Sequence, residues 1–272
     1  SSRFGTFLWP TLAWIMALLF FFPIFWMVLT SFKTDADAVK PEFLFFFTPT
    51  LENYFNMTEN YDYWRFAVNS GITSVFATLF TLFVGVPAAY AMAFNPSRHT
   101  KDILVWMLST KMLPAAAVLY PMTFLTKNML GLFDTHFLVI LVLSLINLPI
   151  VIWMLFTYFK EIPKEIIEAG KMDGVSFWGE MGDIVIPLAW GGLASTALLC
   201  FIFCWNEAYW TVRLTTTDAA TLSKLIEGNR APEGLFFGRL SAVSTAAVGP
   251  IVVLGWFCQK QLVRGLTFGA VK

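Results

Sequence analysis

The chain has 272 residues, of which 57% are hydrophobic, 17% aromatic and 13% charged, and its formal net charge is zero. Because a soluble globular domain carries about 25% charged residues, this composition excludes an ordinary soluble protein and predicts an integral membrane protein. The balanced charge gives no indication of a nucleic-acid or acidic partner.

Six apolar runs reach the roughly 20 residues that a helix needs to cross the hydrocarbon layer. The first is too long for a signal-peptide core and has no small-residue cleavage site, so we expect it to remain as a span. Together the six predict one all-α membrane domain over residues 1–272, with both termini on the same side of the membrane. The runs lie near residues 7–31, 66–94, 104–126, 136–159, 184–210 and 240–262.

The two longest polar connections, residues 32–65 and 211–239, then share the side of the membrane opposite the termini. Counting Lys and Arg gives nine on the side of the termini and eight on the other side, which favours cytoplasmic termini only weakly. Both long connections contain aromatic and turn residues, in the stretches 41–55 and 230–238. Such surfaces suit either the docking of a partner protein or contact with the lipid interface, and the sequence leaves both open.

Proline and glycine residues punctuate the spans. Each proline removes a backbone donor and kinks its helix, which indicates helices curved around a path, although membrane helices carry extra proline in any case. The pair Gly191 and Gly192 is small enough to let two helices approach closely, which indicates packing rather than chemistry.

A charged segment, residues 160–188, separates the fourth and fifth apolar runs. Pro163 suits the start of a helix and Glu165 its first turn, so we expect a short helix from Pro163 to Ala169. A turn at Asp173-Gly174 should follow, with Ser176 capping a second helix. The pattern predicts a helix-turn-helix at a membrane face, shaped to be bound by another protein.

The chain contains no recognisable catalytic motif. Gly170-Lys171 is followed by Met172 rather than Ser or Thr, so no nucleotide-binding loop is present, and neither a nucleophile elbow nor a zinc-protease motif occurs. The three cysteines all lie in apolar runs and the two histidines are far apart in sequence, so we expect no disulfide and no metal site. The sequence therefore predicts a protein that is not an enzyme.

Two polar features inside the spans could serve a solute. Lys111 lies about 12 Å inside the third run at 1.5 Å per residue, where it would either line a polar path or form a structural ion pair. Trp205, Asn206, Glu207 and Tyr209 combine aromatic rings with hydroxyl-binding groups, which suits a sugar but also fits an ordinary aromatic belt. Asn147 is a lesser candidate, since an amide in a span more often bonds a neighbouring helix.

The charged segment resembles the EAA loop of binding-protein-dependent ABC transporter permeases. Glu168-Ala169-Gly170, then Gly174, then Ile186-Pro187 follow that loop's pattern, with Gly170 in place of the usual second Ala. The stretches TLENY, AAYAMAF, WNE and RGLTFGAVK are similar to the maltose-type G permeases of the carbohydrate family. FIFCWNEAYW and PEGLFFGRLSAVST look closest to the sorbitol and mannitol subgroup.

The resemblance implies a type I importer permease fold with a cytoplasmic coupling helix, which would place both termini inside the cell and the two long loops in the periplasm. It implies a heterodimer with a second, homologous permease, two ATPase subunits that hold ATP and Mg, and a periplasmic solute-binding protein. This chain would hold no cofactor of its own. The coupling contact would fall on Glu168, Ala169, Gly170, Asp173, Gly174 and Pro187.

The predicted function is therefore the permease subunit of a bacterial inner-membrane importer for a polyol or sugar. The alternative is a stand-alone secondary transporter or channel, which would need inverted repeats and a coupling-ion site that we do not find in the sequence.

Overall fold

A computed structural model describes residues 3–40, 45–230 and 236–267 of the chain, with side chains between residues 8 and 259. All regular secondary structure within these ranges is helical. Parts of the two aromatic-rich loops and the last residues of the terminal RGLTFGAVK stretch lie outside the described residues.

Long apolar helices alternate with short helices in the connections. The long helices are α1 (Arg3–Ser31), α4 (Tyr63–Phe94), α7 (His136–Phe159), α11 (Trp190–Asn206) and α14 (Phe237–Thr267). The shorter ones are α2 (Asp35–Ala38), α3 (Glu52–Asn60), α5 (Thr100–Thr110), α6 (Ala115–Phe124), α8 (Lys164–Met172), α9 (Phe177–Gly179), α10 (Ile186–Leu188), α12 (Tyr209–Leu214) and α13 (Leu222–Gly228). π-Helical turns follow α6 (Leu125–Met129) and α9 (Glu180–Val185).

Four described helices are long and apolar enough to cross a membrane, and the count rises to six if each of two bent helix pairs forms one span. The four continuous helices, α1, α4, α7 and α14, match the first, second, fourth and sixth predicted spans closely. The third and fifth predicted spans are not single straight helices. Their axes bend by 81° between α5 and α6 and by 85° between α10 and α11.

Local backbone chemistry accounts for both bends. Pro114 has an extended backbone (ψ 118°), and a proline disfavours helical geometry in the residue before it, so α5 ends before Leu113. At the second bend Ala189 leaves helical geometry (ψ 13°), two residues after Pro187. Residues 184–188 of the predicted fifth span lie on the other side of this bend from α11, and the bent pair from Phe177 to Asn206 can form that span as a whole.

The chain divides into two compact units. The larger comprises Phe66–Lys224 and Ile251–Lys272, and its core forms around α7, whose Leu143, Leu155 and Phe159 are fully buried. Helix α11 packs closely on α7 at Gly192, where an added Cβ would lie 2.4 Å from the ring of Tyr158. This contact confirms the predicted packing role for Gly192 but not for Gly191, where an added Cβ would meet nothing within 4 Å.

The smaller unit comprises Ser1–Arg65 and Leu225–Pro250. The amide of Asn53 donates to the carbonyls of Ser31 (3.0 Å) and Lys33 (2.7 Å), which fixes the chain just after α1. Asp35 accepts from the backbone N–H of Gly238 at 3.1 Å, the second residue of α14. These bonds hold the ends of α1 and α14 within one unit.

In the larger unit, Asp134 fastens the loop between α12 and α13. It has a left-handed backbone (φ 60°), and its carboxylate accepts hydrogen bonds from the backbone N–H groups of residues 216–219 and from the hydroxyls of Thr216 and Thr217. Burial alone would raise the pKa of Asp134, but these hydrogen bonds favour the charged form and hold the pKa well below its usual range. Asn69 reinforces the loop by donating to the carbonyls of Asp218 and Ala220, each at 2.9 Å.

We expect Asp134→Asn to lower the free energy of unfolding by about 2 kcal/mol, because an amide cannot accept the same set of charge-assisted bonds. A lowered pKa in the folded state contributes stability above the unfolded pKa of about 4, and this stability is lost as the pH falls further. The gap in melting temperature between wild type and variant should therefore be constant from about pH 8 to pH 5 and shrink below about pH 4.

The measurement is thermal unfolding of the purified protein in detergent across that pH range. Asp62→Asn is the matched control, since Asp62 also has a left-handed backbone (φ 54°) but is exposed. Equal melting temperatures for the Asp134 variant and wild type at pH 7 would contradict the role of this carboxylate.

Candidate coupling segment and solute cavity

Helix α8 forms as the sequence predicts, with shifted ends. It begins at Lys164, directly after the extended Pro163, and it continues past Gly170 to Met172. Gly174 then takes a left-handed backbone (φ 77°), and its N–H donates to the carbonyl of Lys171 at 3.1 Å. The predicted turn at Asp173-Gly174 is therefore confirmed.

The two faces of α8 differ. Ile167 is buried, and Gly170 packs so closely on the following turn that an added Cβ would lie 2.7 Å from Cδ1 of Ile184. Four of the predicted contact residues, on α8 or directly after its end, are exposed, and so is Pro187 in α10. The exposed residues of this group are Glu168, Ala169, Asp173 and Gly174. Gly170 differs from its prediction, because it faces the protein and serves internal packing.

The segment after the turn leads into the bend before α11. The hydroxyl of Ser176 accepts from the N–H of Gly179 at 3.3 Å and caps α9, as predicted. The π-helical turn and α10 follow before Ala189 ends the segment. We refer to residues 164–188, from α8 to α10, as the coupling segment.

A second feature is an open cavity of about 400 Å³ in the larger unit, which we call the solute cavity. Three of the polar residues singled out from the sequence line it, namely Lys111, Glu207 and Tyr209. Apolar side chains of α6 and α7, such as Met122 and Ile146, form much of the remaining wall. An ammonium, a carboxylate and a phenol on an apolar wall are groups that can hydrogen-bond a polyhydroxy ligand.

Lys111 does not lie in the middle of a continuous span, as the sequence suggested. It stands at the end of α5, beside the 81° bend, and its side chain is exposed within the described chain. Its ammonium lies 5.6 Å from the ring centroid of Phe203 on α11, within the range of a cation–π contact. The bend allows this charge to face a cavity rather than lipid.

Glu207 joins α11 to α12. Its carboxylate accepts from the N–H groups of Trp210 (3.0 Å) and Thr211 (3.2 Å), so it caps the start of α12. Part of its hydrogen-bonding capacity is therefore already used within the chain.

The other candidates lie elsewhere. Trp205 and Asn206 do not line the solute cavity. Asn147 is buried, and its amide donates to the carbonyl of Leu143 (2.9 Å) and to the sulfur of Cys204 (3.4 Å) on α11. The bond to Cys204 agrees with the prediction that this amide joins neighbouring helices.

Sequence reasoning missed a buried polar pair. The hydroxyl of Tyr90 on α4 donates to the carboxylate of Glu180 in the coupling segment, and both side chains are buried. Glu180 lies in a charged stretch, which predicts an exposed side chain. The π-helical turn directs it inward instead, and no local sequence pattern marks that turn.

Comparison with known proteins agrees with this architecture. Residues 82–267 match the family described as "Binding-protein-dependent transport system inner membrane component". The chain is 31% identical to a probable ABC transporter permease protein, y4oR, of Sinorhizobium fredii, over 97% of this chain and 95% of that protein. It is also 31% identical to the trehalose transport system permease protein SugB of Mycobacterium tuberculosis, over 92% of each chain.

The fold is also similar to a solved structure, a bacterial ABC transporter involved in the import of the acidic polysaccharide alginate. The TM-score is 0.75 at 23% identity, with 96% of this chain and 98% of that chain covered. The family match spans more than half of the chain, and the curated relatives cover nearly all of it. The chain therefore belongs to the family of binding-protein-dependent transport system inner membrane components, the non-catalytic, multi-pass permease subunits of ABC importers.

Proposed function

We propose that this chain carries a sugar or polyol across the bacterial inner membrane, driven by ATP hydrolysis on separate subunits that hold ATP and Mg. The observation that carries the proposal is that one compact unit holds both the exposed face of α8 and a solute cavity lined by Lys111, Glu207 and Tyr209. The similarity to a trehalose permease supports a carbohydrate. The polyol class rests on the similarity of FIFCWNEAYW and PEGLFFGRLSAVST to the sorbitol and mannitol subgroup.

The coupling segment is the proposed contact with the ATPase. Glu168, Ala169, Asp173 and Gly174 present an exposed surface in which small residues allow close approach and acids can bond basic or amide groups. ATP is cytoplasmic, so this segment would face the cytoplasm. An even number of spans then places both termini on that side and the two long loops in the periplasm, where a solute-binding protein would dock.

A second, homologous permease subunit is the proposed neighbour in the membrane. Residues 8–25 of α1 are all exposed within the described chain, although most of them are large and apolar. Such a surface must be covered by lipid or by another membrane subunit. A heterodimer would cover part of it.

The substrate class can be tested on the cognate periplasmic binding protein by thermal shift with trehalose, maltose, sorbitol and mannitol. A ligand at 100 times its Kd stabilises the folded state by about 2.7 kcal/mol, so binding will raise the melting temperature measurably. We expect a rise with at least one polyol or sugar. Stabilisation by amino acids or peptides alone would overturn the carbohydrate class, and stabilisation by sugars without polyols would overturn the polyol subgroup.

Charge reversal on α8 should separate ATP hydrolysis from transport. We expect Glu168→Lys to reduce solute uptake by about tenfold in proteoliposomes that contain the assembled complex. The new lysine would repel the basic groups of the ATPase that the glutamate is proposed to bond. Glu59→Lys on α3 is the matched control, since Glu59 is also an exposed helical glutamate but lies outside the coupling segment. Equal uptake by the two variants and wild type would contradict the assignment of α8.

Lys111→Met tests the solute cavity. Methionine keeps the unbranched shape but removes the charge, so we expect uptake to fall by about tenfold, as for the loss of one charged hydrogen bond. Lys127→Met is the matched control, because Lys127 is also exposed and also lies over an aromatic ring, that of Phe133 at 5.4 Å. Uptake by Lys111→Met at the wild-type rate would contradict a role for Lys111 in solute binding.

A further inference from the structure

The bond between Tyr90 and Glu180 ties the coupling segment to α4. Glu180 opens the π-helical turn and is 2% exposed, and Tyr90, near the C-terminal end of α4, is 1% exposed. The Tyr90 hydroxyl donates to Oε1 of Glu180. A carboxylate so deeply buried is strongly disfavoured unless it is hydrogen-bonded, so this bond fixes its position.

The ring of Tyr90 makes a second attachment to the same segment. It meets the ring of Phe177 edge-on, with centroids 5.2 Å apart and an interplanar angle of 88°. Phe177 is the first residue of α9, directly after the Ser176 cap. One side chain of α4 therefore holds both the start of α9 and the start of the π-helical turn.

The π-helical turn in turn packs on α8. Gly170 of α8 lies against Ile184, and the carbonyl of Gly170 accepts from the N–H of Val175 at 3.1 Å. Because α8 and the turn are close-packed, a displacement of α8 moves Glu180 with it. The hydrogen bond then carries that displacement to Tyr90 and so to α4.

We propose that Tyr90 and Glu180 are positioning residues of the transport cycle, whose hydrogen bond makes α4 follow the movement of α8. The inference rests on the proposed function, since it assigns the internal step between the ATPase contact and the spans. The stability of the fold does not by itself explain this pair, because buried polar pairs can often be replaced by apolar residues without loss of stability. What an apolar pair cannot supply is a directional bond that keeps two elements in register.

The test uses the assembled complex in proteoliposomes, with the binding protein loaded with whichever of trehalose, maltose, sorbitol and mannitol it binds. ATP hydrolysed and solute imported are measured in the same vesicles for Tyr90→Phe, Glu180→Met and the double variant. Methionine is close to glutamate in length but has no oxygen to accept from the Tyr90 hydroxyl. We expect each single variant to lower the ratio of solute imported to ATP hydrolysed by about tenfold. The double variant should be no worse than either single variant, because all three lack the same bond.

Two controls separate this role from general damage. Tyr54→Phe also removes a tyrosine hydroxyl that is hydrogen-bonded, at 2.7 Å to Ser31, but in the smaller unit, and it should keep the wild-type ratio. Met172 at the end of α8 is 89% exposed, so Met172→Cys reports on the ATPase contact. With Cys258→Ser in the background, the ATPase should protect the introduced thiol from a maleimide in every variant.

The outcomes are distinct. A wild-type ratio in both single variants, or a double variant whose loss is the product of the two single losses, overturns the role of the pair. A lowered ratio of solute imported to ATP hydrolysed also overturns it if the thiol introduced by Met172→Cys reacts with the maleimide. The variants would then have lost the ATPase contact itself. If vesicles that hold the complex without the Tyr90 or Glu180 changes import none of the four solutes although the thiol introduced by Met172→Cys is protected, the proposed function fails instead.

Discussion

The structure depends on the requirement that backbone polar groups at membrane depth be satisfied within the protein. At both bends, backbone hydrogen bonds close the end of the preceding helix. At the first, the N–H groups of Lys111, Met112 and Leu113 bond the carbonyls three residues earlier, so α5 ends in a tightened turn. At the second, the N–H of Ala189 bonds the carbonyl of Val185 at 2.9 Å.

These bends position the coupling segment and the solute cavity, the two candidate features. The first ends α5 where Lys111 can face the solute cavity, which a straight helix at the same position would not guarantee. The second turns the chain from the coupling segment into α11. Each bend follows from a local feature of the backbone, and each is tolerable because the surrounding helices of the larger unit are close-packed on α7.

The sequence predicts the helices and the coupling segment well, because both depend on short-range rules. Apolar length locates α1, α4, α7 and α14, while Pro163, Ser176 and the Asp173-Gly174 turn locate the coupling segment. What the sequence does not predict depends on tertiary contacts. The inward direction of Glu180 is set by a π-helical turn packed on α8, and the role of Asp134 depends on a loop more than 80 residues away.

The solute candidates show the same division. The polar and aromatic residues at 205–209 form one cluster in the sequence, but α11 ends at Asn206 and divides the cluster into two parts. Glu207 and Tyr209 lie past that end and line the solute cavity, whereas Trp205 and Asn206 do not. Residue type could suggest hydroxyl binding, but which of these groups face one cavity depends on where the helix stops.

Helix α11 connects the two features physically. It starts at the bend that ends the coupling segment, is held against Tyr158 of α7 through Gly192, and ends where Glu207 caps α12 at the solute cavity. Its 17 residues make a rod of about 25 Å at 1.5 Å per residue. The chain thus holds two connections from the coupling segment into the spans, one through Tyr90 to α4 and one through Ala189 to α11, and the second leads directly to the cavity wall.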